Sequence, residues 1–113
     1  MPLIDAEKPI MPLSSVAEIL NAKQRTLRMY EDKGLLPAKE GVKKLYSIND
    51  LRSIAFVHYL ANVQKVNANG IRFIQELLND HLESAQREKL LLSVEELIEK
   101  TSPKAFEDEV ETL

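Results

Sequence analysis

Arg25-Thr26-Leu27-Arg28-Met29-Tyr30-Glu31-Asp32-Lys33-Gly34-Leu35-Leu36-Pro37 is the stretch on which the reading of this chain turns. Leu27 and Tyr30 or Met29 fall on one side of a helical period and Arg25, Arg28 and Glu31 on the other, so the pattern predicts an amphipathic helix from about Gln24 to Lys33. Gly34 ends it, because glycine just past a helix accepts the left-handed backbone, and Leu35-Leu36-Pro37 cannot continue the helical run. Upstream, Ser15 and Glu18 have the spacing of a capping box, and Val16, Ile19 and Leu20 share a face. Asn21 tolerates the left-handed conformation of a tight turn. Two short helices joined by such a turn form a helix-turn-helix unit.

Downstream, Pro37 to Tyr46 predicts a two-stranded hairpin with its turn near Gly41 and apolar positions at Val42 and Leu45. Ser47 and Asp50 form a second cap signature, opening a helix to about Val63 that is apolar over a wide face and is expected to be central to the core. A break at Asn67 to Gly70 precedes an amphipathic helix carrying Ile71, Ile74, Leu77 and Leu78. Asn79 and Asp80 are expected to end that helix and, with Glu83, to cap the last one, from about His81 to Lys100. Its apolar residues are Leu82, Ala85 and Leu92, then Leu90, Val94 and Leu97, a phase shift that predicts a bend near Ser93. Residues 1–12 hold three prolines and read as a leader, and Thr101-Ser102-Pro103 opens an acidic tail over 102–113.

The chain has 113 residues, 44% of them hydrophobic, and no cysteine. It is long enough for one core without covalent staples and carries neither a disulfide nor a thiolate metal site. His58 and His81 have no metal-ligand spacing, the three glycines form no phosphate-cradling loop, and no local catalytic signature occurs. No enzyme activity, metal or cofactor is therefore expected. Ser53 to Gln64, the longest uncharged central stretch, falls far short of the ~20 residues of a membrane span. The beginning, with Pro2, Asp5, Glu7 and Pro9, lacks a signal peptide's chemistry, so a cytoplasmic location is expected.

A net charge of −3 hides a strong asymmetry. Ser14 to Arg72 holds ten Lys or Arg against five Asp or Glu, whereas Phe73 to Leu113 holds four against eleven. A basic body thus joins an acidic arm, and basic surfaces favour nucleic acid. Side chains near the N-terminal end of a helix in the major groove meet base edges and phosphates, and Gln24, Arg25 and Arg28 occupy that end. Thr26 and Tyr30 suit phosphate oxygens, while Lys39, Lys43 and Lys44 sit on the hairpin, where lysine adds affinity more than sequence choice. Plainer roles stand beside these: Arg28 paired with Glu31 or Asp32, Tyr30 and Tyr46 packed in the core or hinge, and the lysines protecting a strand edge.

From Leu13 to Leu78 the order of elements resembles the MerR family. The match is sharpest at Arg25 to Pro37, similar to the family's recognition helix and exit, and at Lys43-Lys44-Leu45-Tyr46-Ser47 with Asp50-Leu51, similar to its basic wing and third helix. Val66-Asn67-Ala68-Asn69-Gly70-Ile71 and the short length look most like HspR-type heat-shock repressors. One departure is Lys23, which stands where members often carry Ser or Thr and cannot accept a cap hydrogen bond.

The resemblance implies a mainly α fold with a small β-hairpin wing: a winged helix-turn-helix over 13–79, a dimerisation helix over 80–101 and an acidic tail. It also implies a homodimeric transcriptional regulator, repressor or activator, that binds double-stranded DNA at a palindrome-like, bent or untwisted promoter element. Tyr46 joins the expected DNA-contacting residues, and Leu82, Ala85, Leu90, Leu92, Val94 and Leu97 would pair antiparallel with a twin helix; folding back onto the chain's own domain is the alternative. The cysteine-based sensing of metal-responsive relatives is excluded. A second function class is a protein-binding adaptor resembling MerR-like chaperone modulators, whose acidic C-terminal arm suits a basic protein partner; the two can coexist in a DNA-binding repressor that takes its signal through Phe106 and the acidic tail.

Overall fold

Pro12, with φ −75° and ψ 167°, sets the chain into its first helix, α1 (Leu13–Leu20), and no side chain caps it. The helix therefore starts ahead of the expected Ser15–Glu18 box, because the Pro12 carbonyl already accepts from the Ser15 and Val16 amides at 3.0 and 3.2 Å. The computed structural model describes residues 5–39, 44–100 and 107–111. Asn21 closes α1 in the left-handed conformation at φ 53°, as its short polar side chain allows. After α2 (Gln24–Asp32), Gly34 takes φ 72°, and the Gly34 and Leu35 amides bond back to the Glu31 and Tyr30 carbonyls, both at 2.9 Å. This is the paired closure of a glycine-terminated helix.

Among the described residues no strand ladder forms where the hairpin wing was expected. Tyr46 instead makes an isolated antiparallel bridge with Met11, its amide donating to the Met11 carbonyl at 2.7 Å and its carbonyl accepting from the Ile10 and Met11 amides at 3.1 Å. The segment leading out of the helix-turn-helix is thus held by the leader. The turn residues expected near Gly41, with Val42 and Lys43, lie outside the described residues.

Ser47 and Asp50 form the expected capping box, with the Asp50 amide donating to Ser47 Oγ at 3.0 Å and the Ser47 amide to Asp50 Oδ2 at 2.9 Å. The helix they open, α3 (Ile48–His58), widens into a π-helical turn, Tyr59–Val63. Lys65, at φ 58°, then turns the chain into α4 (Ala68–His81), capped by the Asn67 side chain. Gly70 follows from that close turn: a Cβ there would stand 2.6 Å from Val66 Cγ1.

The expected helix end at Asn79–Asp80 does not occur. Here α4 runs on to His81, Leu82 is extended, and α5 (Ser84–Lys100) begins with Gln86 Oε1 accepting from the Glu83 amide at 2.9 Å. Val16, Leu27, Tyr30, Leu35, Tyr46, Ile54, Val57 and Ile71 form the sealed core, joined by Val110 from the C-terminal segment. Helix α5 lies on α3, where Leu91, Val94 and Ile98 face Leu51 and Ala55 across a shallow groove. The apolar phase shift has its reason there. At ~100° per residue, Ala85 and Leu92 fall on one flank of that seam and Leu90 and Leu97 on the other. Among the described residues, no helix is long and apolar enough to cross a membrane.

Candidate nucleic-acid interface

Helix α2 is pinned at both ends and open along its outer face. Thr26, Leu27 and Tyr30 are buried, whereas Lys23, Gln24, Arg25 and Arg28 are exposed. At its C-terminal end two α4 side chains reach back: Arg72 Nη2 donates to the Lys33 carbonyl at 2.6 Å and Gln75 Nε2 to the Leu35 carbonyl at 2.8 Å. These carbonyls would otherwise lack partners. At the N-terminal end the N-cap residue Lys23 offers no side-chain acceptor to the first-turn amides, and its own amide donates to a group 85 residues away, Asp108 Oδ2, at 2.9 Å.

Beneath α2, the Tyr30 hydroxyl and His58 Nδ1 lie 2.6 Å apart, both sealed from solvent. His58 Nε2 has no partner. A neutral imidazole has one N–H, so donation by the tyrosine leaves a single unsatisfied atom, while the reverse leaves two. Burial raises the Tyr30 pKa, and the nearby Asp108 carboxylate adds to it. Burial lowers that of His58 against the opposing pull of Asp108. For Asp108 itself burial would raise the pKa, but the Lys23 amide, the Thr26 hydroxyl facing it, the Val110 amide and His58 together hold it below the usual range.

These positions revise part of the expected contact set. Thr26, Tyr30 and Tyr46 are 1% exposed or less, so a phosphate cannot reach their hydroxyls in this arrangement; they serve the interior. Tyr46 donates to Glu31 Oε2 at 3.2 Å, and burial with that carboxylate pushes its pKa up to about 12. Lys39 does not project on an arm. Its Nζ pairs with Asp50 at 2.5 Å and lies 5.6 Å from the Tyr46 ring centre. Burial would raise the Asp50 pKa, yet Lys39 and the Ser47 hydrogen bonds hold it low. Lys44 pairs at 3.5 Å with Glu31, so Glu31 is turned towards the wing flank and no described acidic group pairs with Arg28 or Arg25. Lys43 lies outside the described residues. The open face of α2 therefore presents the cations Arg25 and Arg28 with the neutral amide of Gln24 beside them, next to the exposed Lys23.

A family model described as the MerR HTH family regulatory protein matches residues 11–78, more than half of the chain. The chain belongs to the MerR family. Among solved structures, the MerR-like fold recurs in the transcription regulator PbrR691 from Ralstonia metallidurans CH34, determined in complex with lead(II). That likeness has a TM-score of 0.56 at 20% identity and covers 80% of this chain and 72% of that one. No curated protein matches the chain. In this MerR-family chain the helix-turn-helix is held by groups that local periodicity could not show. Asp108 and Asn62 escaped sequence reading, whereas His58 was singled out there only as a histidine without metal-ligand spacing and proves to be buried.

Of the expected dimerisation residues, Val94 is 7% exposed and packs within the chain, a correction to its expected role in a partner seam. Leu82 and Leu90 are half-buried, and Ala85, Leu92 and Leu97 are exposed. Arg52 Nε, 3.8 Å from Glu95 Oε2, adds an ion pair between α3 and α5.

Proposed function

We propose that this MerR-family regulator binds duplex DNA sequence-specifically through the outer face of α2 and acts as a homodimer on a palindrome-like promoter site. The observation that carries the reading is the open pair Arg25 and Arg28, exposed and without a described acidic partner on a helix whose C-terminal end is tied to α4. Free guanidinium groups one helical turn apart suit purine edges or successive phosphates, and Gln24 beside them suits a base edge. A helix that does not shift on its scaffold holds such contacts in register. Two copies related by a two-fold axis would read two half-sites. A cytoplasmic, non-enzymatic role accords with such a regulator.

The test is selection of bound genomic fragments followed by titration of the selected duplex with the parent protein and Arg28→Glu. Replacing a cation by an anion at a base- or phosphate-contacting position should weaken binding at least 100-fold, on the order of two lost contacts of roughly 1–3 kcal/mol each, with helical content unchanged. Undiminished binding of Arg28→Glu would place the interface elsewhere.

A further inference from the structure

The C-terminal segment Glu107–Glu111 is docked onto the body at the same end of α2 that the DNA-binding reading assigns to the duplex. Four polar contacts and one buried side chain locate it. Asp108 accepts from the Lys23 amide, one residue before Gln24 and two before Arg25. Asn62, itself 2% exposed, grips the segment's backbone with both ends of its amide: Nδ2 donates to the Glu107 carbonyl at 3.0 Å and Oδ1 accepts from the Glu109 amide at 2.9 Å. Glu109 Oε2 then lies 3.4 Å from Lys65 Nζ, and Val110 is buried in the core. The π-helical turn presents Asn62 to the segment, a distortion often found where a helix serves a site.

The chemistry of the docked segment is that of a phosphate backbone. Four of its five residues are acidic. A chain advances at most ~3.6 Å per residue, so its negative charge is about as dense as that of one DNA strand, with a phosphate every ~3.4 Å of axis. Its carboxylates hold a helix N-terminal amide and a lysine, the two kinds of group that bind phosphate. We infer that Glu107–Glu111 is an intrachain competitor of DNA, which occupies the N-terminal end of the recognition helix and Lys65 and must be displaced, or lose its charge, for the tightest duplex binding. This rests on the DNA-binding reading above. The buried amide of Asn62 makes the docking specific for this segment's backbone rather than for negative charge in general, and the exposed Glu107 and Glu111 leave it an edge from which a duplex can begin to peel it.

The test uses the full chain and two variants: Asp108→Asn with Glu109→Gln, which keeps side-chain acceptors and backbone contacts but removes two charges, and a chain lacking residues 107–113. The reduced-charge variant covers the case in which loss of Val110 unfolds the shortened one. Against the selected duplex at about 0.1 M salt, it should bind roughly three- to tenfold tighter than the parent, with the salt slope steeper by about one phosphate contact. Hydrogen exchange at the Glu109 amide supplies a readout independent of affinity. In the parent it should be protected when free and exposed when saturated with duplex. Parent-like or weaker binding by the reduced-charge variant, or a Glu109 amide still protected in the complex, overturns the competitor and leaves DNA binding intact. If parent and variant alike bind no selected duplex, while the Glu109 amide is protected in the free protein, the DNA-binding reading fails and the competitor falls with it.

Discussion

His58 shows how one buried side chain ties helix α2 to solution conditions. Its imidazole is enclosed beneath α2, bonded to Tyr30 on one side and without a partner on the other, so protonation inside the fold is disfavoured by burial. The unfolded chain takes up that proton near the ordinary pKa of 6.5 and the folded chain does so only at lower pH. Stability is thus fully present above that value and is lost as pH falls through it, levelling off below the lowered folded pKa. Thermal unfolding should show a melting temperature that drops between about pH 7.5 and 5.5, and His58→Gln should flatten that drop. A dependence unchanged in His58→Gln would place the titrating group elsewhere. His58→Phe, which carries no acceptor, should lower stability at neutral pH by about 1–3 kcal/mol, because Tyr30 then loses its partner in the core. Asp108 and Asp50, whose pKa values are held low, act in the acid range instead, where their contribution disappears as pH falls through the folded values.

At the scale of elements, the start of α3 is the best-determined boundary. Its box is reciprocal, Ser47 and Asp50 each supplying a side-chain acceptor to the other's amide, and Asp50 also holds Lys39. Ser47→Ala should cost about 1 kcal/mol in a denaturant melt, and Ser47→Thr should restore most of it. A larger loss in Asp50→Ala than in Ser47→Ala is expected, since it frees Lys39 from the flank of the helix-turn-helix as well. Helix α2 has the opposite character, with both ends tied to other elements. A short helix held this way needs little intrinsic propensity, because packing supplies what nucleation costs. The boundary signals that succeeded, Asn21, Gly34 and Ser47–Asp50, act within a few residues of themselves. Those that failed, Ser15–Glu18 and Asp80–Glu83, lost to nearby partners: the Pro12 carbonyl reaches the first amides of α1, and Gln86 reaches the Glu83 amide.

For the whole molecule, α5 packs on its own chain and, in the proposed homodimer, also meets a second copy. Val94 is committed to α3, while Leu92 is 41% exposed on the adjoining flank. Leu92→Glu should shift sedimentation from dimer towards monomer at micromolar protein with little change in unfolding of the chain, if the flank carries the proposed homodimer. Val94→Ala should do the reverse in kind, lowering stability by about 2 kcal/mol through lost burial. Equal sedimentation of Leu92→Glu and parent protein would remove this flank from the dimer surface. Phe73 and Leu77, exposed one turn apart on α4, offer a second apolar strip on which the same measurement can be repeated.

Periodicity and turn chemistry alone determined the helix-turn-helix, the exit at Gly34 and the box opening α3, because those features arise from interactions between residues a few positions apart. Even the recognition of the family rests on such local patterns, read between Leu13 and Leu78. Only tertiary packing decided that Tyr30 and Tyr46 turn inward, that Lys39 and Lys44 pair with Asp50 and Glu31, that Met11 takes up the backbone of Tyr46, and that Asp108 accepts the Lys23 amide. The physical reason is shared: each of these outcomes satisfies a polar or charged group with a partner distant along the chain, and a linear pattern shows the unsatisfied group but not which distant residue will meet it.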